Sequence, residues 1–367
     1  MVSIPNDVIQ QFAFQGQVID VQRCEIGHIN HTLVLTTSQG HRTQRYILQR
    51  INQQVFRRPQ ELMENIVRVT AFLREKIRRE GGDPERETLT LIPTREGDDF
   101  YVSPERKYWR AYLFIEGARA YQQVESPQHI YQAARAFGRF MRRLEDFPAH
   151  ELHITIPDFH HTPKRFDAFI QAVDADALNR AAEVRDLIAF AQARADKTWR
   201  IVRALDAGEL PLRVTHNDTK FDNVLIDDKT GEGVCVLDLD TVMPGSALYD
   251  FGDFVRTGAN TAAEDEPNPD RVSLSLDYFD AIARGFLQET AEALTPREIE
   301  WLPLGAWMII FEQALRFLGD YLNGDVYYRI HRPQQNLDRA RTQFKLVADL
   351  EAREEAIARI ITRYAHA

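Results

Sequence analysis

The chain contains almost no cysteine and no long apolar run. Its two cysteines in 367 residues, Cys24 and Cys235, lie far apart and have no metal-ligand spacing. This excludes a disulfide framework and a zinc finger, so we expect two reduced thiols packed as small apolar groups. No apolar run approaches the roughly 18 residues that span a membrane, and the first residues lack the basic segment and apolar core of a secretory signal. We therefore expect a cytoplasmic protein without a membrane partner.

An excess of positive charge is also absent. The sequence has 45 lysines and arginines against 55 aspartates and glutamates, a formal net charge of −10. Nucleic-acid binders generally need a basic face to neutralise phosphates, so this balance argues against that class. A local basic pocket for a single nucleotide stays compatible with it. With 44% hydrophobic and 27% charged residues, the composition is that of a soluble globular enzyme long enough for two lobes.

The first part of the chain combines short strand patterns with one helix. Runs of β-branched and aromatic residues alternate with turn residues such as Gly40, which predicts an antiparallel sheet. The predicted strands are 17–21, 32–37, 45–50, 88–92 and 109–115. From Pro59 to about Arg79, apolar residues recur every three or four positions after an initial proline, which predicts an amphipathic helix.

The rest of the chain is dominated by helical periodicity. The segments with this pattern are 130–144, 178–205, 273–293, 297–323 and 338–365. Strand-like segments around 212–214, 223–227 and 234–239 interrupt it, and a loop between strands is a suitable support for catalytic groups. The acidic, proline-containing segment 261–270 is predicted to be a mobile loop.

The interrupting segment carries the residues with the clearest chemistry. Asp218 is followed five residues later by Asn223, and Asp238 ends the next strand-like run. A phosphotransferase needs a carboxylate that orients the acceptor hydroxyl and takes its proton, and oxygen ligands for Mg²⁺ on ATP. We therefore predict Asp218 as the catalytic base, Asn223 and Asp238 as metal ligands, and Lys220 as a positive charge for the γ-phosphate. The alternative is a solvated loop, since Asp, Asn and Lys are common in loops.

Other polar residues near this segment are predicted to support it. His216 is expected to anchor the loop backbone rather than transfer protons, and Asp250 and Asp253 are expected to brace the loop. Four more histidines raise the question of a metal site, but no His-Glu-x-x-His helix or cysteine accompanies them. These histidines are His150, His153, His160 and His161. We expect them to lie at the surface or to pack loops.

A family resemblance covers most of the chain. The His-x-Asp-x-Lys-x-x-Asn spacing at 216–223, with Asp238 after it, looks like the catalytic loop of the protein-kinase-like superfamily. The wider stretch 214–260 resembles the N-acetylhexosamine 1-kinases of the aminoglycoside phosphotransferase branch. Shorter segments similar to that family lie in order at 27–32, 46–52, 62–70, 109–117, 315–328 and 341–347. The catalytic spacing alone indicates only the superfamily, whereas the ordered segments indicate the family.

The resemblance implies an α+β, bilobal protein-kinase-like fold. An N-lobe at 1–115 would combine the antiparallel sheet with one helix. A mainly helical C-lobe at 116–367 would carry the catalytic loop and the acceptor site. ATP with Mg²⁺ would bind between the two lobes.

Nucleotide-binding residues follow from the same resemblance. The adenine would bind backbone groups near Tyr112, Phe114 and Ile115, although plain burial of these side chains is equally compatible with the sequence. The turn 25–30 would cover the nucleotide. It contains one glycine, Gly27, and so departs from the glycine-rich phosphate loops of protein kinases.

The lysine that protein kinases carry on the third strand is missing. Gln49 and Arg50 stand there instead, and the pattern does not tell which face of the strand turns to the cleft. We predict that Arg50, paired with Glu64, contacts the phosphates. A surface ion pair between these two residues is the alternative.

A neutral sugar is recognised by oriented hydrogen-bonding groups and an aromatic face. The predicted acceptor-site residues are His28, Asn30, Arg316, Asp320 and Tyr321. Arg316 and Asp320 are four positions apart, so an ion pair within one helix is the alternative for them. Members of the family often have an aromatic residue where this chain has Thr257, which leaves the exact sugar open.

The expected activity is ATP-dependent phosphorylation of the anomeric C1 hydroxyl of N-acetylglucosamine or N-acetylgalactosamine. An enzyme of the same fold acting on an aminoglycoside, choline or homoserine is the first alternative. Cationic acceptors favour an acidic pocket, and Arg316 argues against that. A kinase-like binding protein without catalysis is the second alternative, which the complete set of base and metal ligands disfavours. A monomer is favoured, and no nucleic-acid partner is expected.

Overall fold

The protein combines an antiparallel sheet with a mainly helical second part. A computed structural model describes residues 6–24, 29–124 and 126–365. The helices of these parts are α1 (Asn6–Ile9), α2 (Pro59–Arg79), α3 (Pro127–Arg143), α4 (Thr162–Ala175), α5 (Arg185–Gln192), α6 (Arg200–Asp206), α7 (Ala247–Gly258), α8 (Leu276–Thr290), α9 (Pro296–Leu322), α10 (Gln335–Ala352) and α11 (Glu354–Ala365). The strands are β1 (Gln17–Arg23), β2 (His31–Gln39), β3 (Arg42–Arg50), β4 (Leu91–Ile92), β5 (Tyr101–Val102), β6 (Tyr108–Leu113), β7 (Ala118–Ala120), β8 (Arg213–Thr215), β9 (Val224–Asp227), β10 (Gly233–Val236) and β11 (Met243–Gly245).

The largest sheet contains the first six strands. Its order is β1-β2-β3-β6-β4, and β5 also pairs with β6. All of these pairs are antiparallel. The β2–β3 hairpin turns at Gly40, whose φ of 65° is accessible because glycine has no Cβ. The register places Gln49 of β3 opposite Arg110 of β6.

The two faces of this sheet pack against different cores, because side chains alternate along each strand. Leu48 of β3 and Trp109 of β6 belong to a small core near α1. On the other face, Ile47 and Tyr112 pack with the main core of the molecule. The face that carries Ile47 and Gln49 therefore turns toward the helical part, which the strand pattern alone had left open.

Helix α2 confirms the predicted amphipathic helix. Pro59 opens it, and a proline there loses no hydrogen bond. Its buried apolar residues include Leu62, Ile66, Val69, Leu73 and Ile77. Asn65, also buried, donates through Nδ2 to the carbonyls of His153 and Val242 at 2.9 and 3.0 Å. These bonds attach α2 to the helical part of the molecule.

Helices α7 and α9 cross closely beside the catalytic segment. A Cβ on Gly252 of α7 would lie 2.3 Å from the carbonyl oxygen of Gly305 on α9. A Cβ on Gly305 would in turn lie 2.3 Å from the carbonyl oxygen of Leu248. Since no side chain fits at such distances, glycine at both positions permits the crossing. The crossing places Asp250 of α7 and Glu312 of α9 beside the same loop.

Two small sheets hold the segment with the clearest chemistry. β9 pairs with β10 and β7, and β11 pairs with β8. The polar residues 216–223 lie between β8 and β9, where the sequence predicted a loop between strands. A strand on each side limits how far such a loop can move.

The fold class prediction is confirmed: an antiparallel sheet with one long helix precedes a mainly helical part. Several elements are additional to the prediction, namely α1, α4, α7, β5, β7 and β11. Of the predicted strand 88–92 only Leu91–Ile92 pairs, and segment 338–365 divides at Arg353. The lobe boundary after Ile115 stays a prediction, because the main core includes residues from both sides of it. None of the described helices is long and apolar enough to cross a membrane.

Candidate active site

The catalytic loop, His216–Asn223, is held by a buried carboxylate of α7. Asp250 accepts hydrogen bonds from the backbone N–H groups of His216 and Asn217 at 2.8 and 2.7 Å. Asn217 has a φ of 65°, which is uncommon for a residue with a side chain. The bonds to Asp250 stabilise this conformation. The expectation that Asp250 braces the loop is confirmed.

His216 links the catalytic loop to the end of the β10 segment. Its ring is fully buried, and Nε2 lies 2.8 Å from the carbonyl oxygen of Leu237. The N–H of Asp218 donates to Nδ1 at 3.3 Å. These two contacts assign the neutral tautomer with its proton on Nε2. An imidazole held in this form anchors the backbone, as predicted.

Asp218 and Lys220 form an ion pair that solvent reaches. Lys220 Nζ donates to Asp218 Oδ2 at 2.8 Å, and the two side chains are 38% and 20% exposed. Burial by itself would raise the pKa of Asp218, but the charge and hydrogen bond of Lys220 lower it below its usual value. Asn223 Nδ2 donates to the Asp218 carbonyl at 2.9 Å and to Oδ2 at 3.3 Å. Asp218 is therefore an ionised and oriented carboxylate, which is the form that a general base needs.

The metal loop, Leu237–Thr241, lies next to the catalytic loop. The N–H of Leu237 donates to the carbonyl of Asn223 at 2.8 Å, which brings Asn223 close to Asp238. Burial, together with the charges of Asp240 and Asp218, raises the pKa of Asp238 to about 7. Asp240 is buried and Asp218 and Asp238 are half-buried, and a group of carboxylates with this excess of negative charge favours a bound cation.

Asn223 and Asp238 fit a magnesium ion by their chemistry. The Asn223 amide nitrogen is used on Asp218, while the amide oxygen accepts no hydrogen bond from the described residues. Mg²⁺ binds carboxylate and amide oxygens, keeps several waters and shares nucleotide phosphates. In the described parts of the chain, no three His, Cys, Asp or Glu side chains are arranged to hold a metal by themselves. A magnesium ion here would therefore depend on phosphate oxygens as well.

Arg110 supplies the positive charge beside the metal loop, and the sequence prediction missed it. Its guanidinium forms an ion pair with Asp240, and the two side chains are 1% and 3% exposed. Its Nε and Nη2 also donate to Gln49 Oε1 at 3.1 and 2.9 Å. Burial would lower the pKa of Arg110, but Asp240 raises it. A lone arginine within the otherwise apolar strand 108–113 is the signal that could have revealed it.

The structure corrects the predicted pairing of Arg50 with Glu64, while the phosphate contact of Arg50 stays a prediction. Arg50 lies on the face of β3 opposite to Gln49, with its guanidinium 5.9 Å from the ring centre of Trp109. Glu64 Oε2 lies 2.6 Å from His153 Nε2. The predicted pair of Arg50 and Glu64 is not formed, because alternation along the strand turns Gln49 toward the metal loop. The buried cation on that side is carried by β6 instead.

The segment predicted to bind adenine joins the sheet to the helical part. Tyr112 is buried within the sheet. The N–H of Phe114 donates to the carbonyl of Arg45 at 3.1 Å, and the Arg45 guanidinium lies 3.8 Å from the Phe114 ring centre. Among the hydrogen bonds of the described residues, none uses the N–H or carbonyl of Ile115. These two groups are free for a ligand, and adenine binding here stays a prediction.

Arg316 is the predicted acceptor residue with the most distinctive surroundings. Its guanidinium lies 5.9 and 5.5 Å from the ring centres of Tyr327 and Tyr328. Nη1 donates to Gln313 Oε1 at 3.1 Å. The alternative ion pair with Asp320 is not formed, and no carboxylate of the described residues lies within ion-pair distance. Arg316 therefore presents a positive charge next to two aromatic rings.

Asp320 orders the loop after α9 instead of facing a cleft. Its carboxylate accepts hydrogen bonds from three consecutive backbone N–H groups, at 2.8 to 3.0 Å, and from the Asn336 amide at 2.9 Å. The three N–H groups belong to Val326, Tyr327 and Tyr328. Asp320 thus fixes the two tyrosines near Arg316.

Tyr321 and Asn30 are placed differently from each other. Tyr321 is buried and donates its hydroxyl to Glu183 at 3.3 Å, beside a surface depression of about 800 Å³. Asn30 donates to Asp240 Oδ2 at 2.6 Å and accepts from the N–H of Asn52 at 3.0 Å. The amide of Asn30 is therefore engaged with the metal loop. Two further predicted residues, Gly27 and His28, lie outside the described residues.

A chain of ion pairs extends from α7 into the acidic segment 261–270. Asp253 pairs with Arg256 at 2.8 Å, and Arg256 pairs with Glu264 at 2.9 Å. Asp265 accepts from the Gln335 amide at 2.8 Å. Among the described residues, Asp253 makes no hydrogen bond to the catalytic loop, so the expectation that it braces this loop is not confirmed. These contacts attach the segment that was predicted to be mobile.

Three of the four extra histidines take part in local contacts, and the fourth, His150, is exposed at the surface. His153 contacts Glu64, and His160 contacts Glu312 at 3.0 Å. His161 accepts the N–H of Lys164 at 3.3 Å and so caps α4. The expected packing role is confirmed for these three.

Comparisons with known proteins identify related sequences and folds. The model of the phosphotransferase enzyme family matches residues 20–286. A microcompartment-associated aminopropanol kinase is similar in structure, with a TM-score of 0.65 and 14% identity over 98% of this chain and 99% of that one. An aminoglycoside phosphotransferase from Alicyclobacillus acidocaldarius has a TM-score of 0.61 and 16% identity, over 100% of this chain and 98% of that one. An amicoumacin kinase in complex with AMP-PNP and Ca²⁺ has a TM-score of 0.56 and 12% identity, over 92% of this chain and 90% of that one. These similarities confirm the kinase-like fold, and at such identities they show the fold alone.

Proposed function

Because the chain belongs to the phosphotransferase enzyme family, we propose that it is an ATP-dependent kinase of the anomeric hydroxyl of N-acetylhexosamines. The acceptor is N-acetylglucosamine or N-acetylgalactosamine, and the products are ADP and the sugar 1-phosphate. The catalytic loop supports the transfer chemistry. The region around Arg316, together with the sequence resemblance, supports the acceptor.

Asp218 acts on the acceptor side of the reaction. Its Oδ2 is held by Lys220 and Asn223, so Oδ1 is the atom that orients the sugar hydroxyl and receives its proton. Holding the hydroxyl at this position converts an encounter of two substrates into a step within one complex. Lys220 provides a positive charge where negative charge develops on the transferred group.

Asn223 and Asp238 act on the nucleotide side. Their side-chain oxygens would hold a magnesium ion, which would supply positive charge to neutralise the nucleotide phosphates. Asn223 connects the two sides, because its amide nitrogen orients Asp218 while its amide oxygen stays available. Arg110 and Asn30 hold Asp240, which fixes the backbone of the metal loop two residues after Asp238.

The observation that favours a sugar over a cationic alcohol is the environment of Arg316. A quaternary or primary ammonium group needs carboxylates or aromatic faces free of a competing cation. Arg316 occupies the space next to Tyr327 and Tyr328, and no described carboxylate balances it within ion-pair distance. A guanidinium beside aromatic rings suits the carbonyl and hydroxyl oxygens of an N-acetylated sugar.

An acceptor screen with purified protein tests this proposal. ATP consumption is measured with N-acetylglucosamine, N-acetylgalactosamine, glucose, choline, ethanolamine, aminopropanol and kanamycin. We expect turnover with an N-acetylhexosamine and a product whose phosphate is released by mild acid, as an anomeric phosphate is. A product stable to that treatment, or turnover of an ammonium alcohol without any N-acetylhexosamine, would contradict the proposal.

A further inference from the structure

His160 occupies a position that the reaction described above leaves without a role. It precedes α4, and its side chain is 8% exposed. Its Nδ1 lies 3.0 Å from Glu312 Oε1, and its Nε2 lies 3.2 Å from the carbonyl oxygen of Asn217. The ring therefore bridges a buried carboxylate of α9 and the backbone of the catalytic loop.

The two partners of His160 are hydrogen-bond acceptors. A backbone carbonyl accepts hydrogen bonds, and an ionised carboxylate does the same. Thr162 donates to the other oxygen of Glu312 at 2.8 Å. Burial would raise the pKa of Glu312, but its bonds with His160 and Thr162 and the charge of Arg316 lower it. Glu312 is thus an acceptor on both oxygens, and both ring nitrogens of His160 face acceptors.

The carbonyl that His160 contacts belongs to the peptide unit that precedes Asp218. The N–H of the same peptide unit donates to His216 Nδ1 at 3.3 Å. One histidine therefore holds the oxygen of this planar unit and another holds its nitrogen. Because Asn217 has a φ of 65°, this unit is held in an orientation that most residues avoid. A rotation of the unit would move the Asp218 side chain directly.

We propose that His160, held by Glu312, is a positioning residue that fixes the Asn217–Asp218 peptide and thereby the catalytic carboxylate. The inference rests on the proposed role of Asp218 as the base. It assigns Glu312 to the support of the catalytic loop, one helical turn before Arg316. The acceptor region and the base are then attached to neighbouring positions of the same helix, α9.

Kinetics of His160→Ala test the proposal, with ATP and N-acetylglucosamine or, if that sugar is inactive, the acceptor that shows turnover. A displacement of a catalytic group by about 1 Å costs about 100-fold in rate, so we expect kcat to fall by about that factor. The KM for ATP should stay within about twofold, because the metal ligands are not attached to His160. His161→Ala is the matched control. The adjacent histidine caps α4 and contacts the Trp199 ring, without a contact to the catalytic loop among the described residues, so its kcat should equal that of the wild type.

Two further variants separate positioning from simple loss of stability. Glu312→Gln keeps the hydrogen-bond chain, because its amide can donate to a neutral His160 whose Nε2–H still reaches Asn217. Glu312→Ala removes the chain. We expect Glu312→Gln to keep kcat within about threefold of the wild type, whereas Glu312→Ala loses about as much as His160→Ala. If His160→Ala does not fold, the comparison of Glu312→Gln with Glu312→Ala still tests the proposal.

Three outcomes would overturn the proposal. They are a wild-type kcat in folded His160→Ala, an equal kcat in both Glu312 variants, and a rise in the KM for ATP that matches the fall in kcat. Asp218→Asn in the same assay distinguishes the two proposals. If Asp218→Asn keeps its activity, the assigned base is wrong, whereas an inactive Asp218→Asn with an active His160→Ala removes only the positioning role.

Discussion

The catalytic loop and the metal loop balance their charges in different ways. Asp218 in the catalytic loop pairs with Lys220, two positions further along the chain, and solvent reaches both side chains. Asp240 in the metal loop pairs with Arg110 on β6, and this pair is almost completely buried. The first pair follows from the spacing of nearby residues. The second depends on how the sheet packs against the helical part, so a local motif does not reveal it.

The largest effect is expected where the exposed pair is broken. Asp218→Asn keeps the shape of the side chain and removes its ability to accept a proton. Since a general base contributes about 10²- to 10⁴-fold to a rate, kcat should fall by about that range. Steady-state kinetics measure it. Asp228→Asn is the control. Asp228 lies in the β9–β10 hairpin and pairs with Arg119 of β7 at 2.6 Å, so this variant should leave kcat unchanged. Similar rates for both variants would contradict the assignment of the base.

Breaking the buried pair should act on stability. Arg110→Met leaves Asp240 as an uncompensated buried charge, and such a change costs about 3 to 5 kcal/mol. Urea unfolding followed by circular dichroism measures the free energy of unfolding. The double variant Arg110→Met, Asp240→Leu replaces both charges by apolar groups and should regain most of the loss. A single variant that loses less than about 1 kcal/mol would show that the pair is not buried in solution.

Asp238 allows the electrostatics of the metal loop to be tested by pH. Its pKa in the folded protein, about 7, is above the value of about 3.9 for an unfolded chain. The folded state therefore binds the proton more tightly, and the free energy of unfolding decreases as pH rises between these two values. Asp238→Asn removes this loss. Without metal at pH 8, we expect the variant to be more stable than the wild type by about 4 kcal/mol.

Thermal unfolding in the presence of a chelator checks this expectation at several pH values. The difference in the free energy of unfolding between Asp238→Asn and the wild type should disappear near pH 4, because residue 238 is then uncharged in both folded proteins. One unit of pKa shift corresponds to about 1.4 kcal/mol. Added Mg²⁺ and ATP should stabilise the wild type more than the variant. If the stability difference between the variant and the wild type is the same at pH 4 and pH 8, the raised pKa of Asp238 is contradicted.

The smallest effect is expected at Arg50. It is exposed and lies over Trp109 on the face away from the metal loop, so Arg50→Ala should change stability by about 0.5 kcal/mol or less. The KM for ATP should stay within about twofold of the wild type. The measurement is a titration of ATP at saturating acceptor. A tenfold rise of this KM would restore Arg50 as the phosphate contact and would weaken the contrast between β3 and β6.

Much of the fold could be predicted because its signals are local. The period of three to four residues in 59–79 requires one helix face to be buried, and the structure has α2 at Pro59–Arg79. Short or irregular elements could not be predicted in the same way. β5 and β11 contain only Tyr101–Val102 and Met243–Gly245. β5 forms along the edge of the longer strand β6, and β11 forms by pairing with the equally short β8. Such pairing is a property of the assembled sheet.

The acceptor side illustrates the same limit in a single helix. Arg316 and Asp320 are four positions apart and could form an ion pair by spacing alone. In the structure Asp320 instead accepts three backbone N–H groups of the following loop, and Arg316 lies beside the tyrosines of that loop. Spacing reports which residues share a face. It does not report which partner is available there.

The sequence by itself determined the catalytic loop, because the predicted base, lysine and metal ligand lie within eight residues and need only a turn to bring them together. The tertiary structure alone decided which cation balances the metal loop and which histidine contacts the Asn217 carbonyl. Those contacts join Asp240 to Arg110, and His160 to Glu312 and Asn217. The physical reason is that a buried charge or carbonyl takes the nearest available partner in space, and that partner is selected by packing.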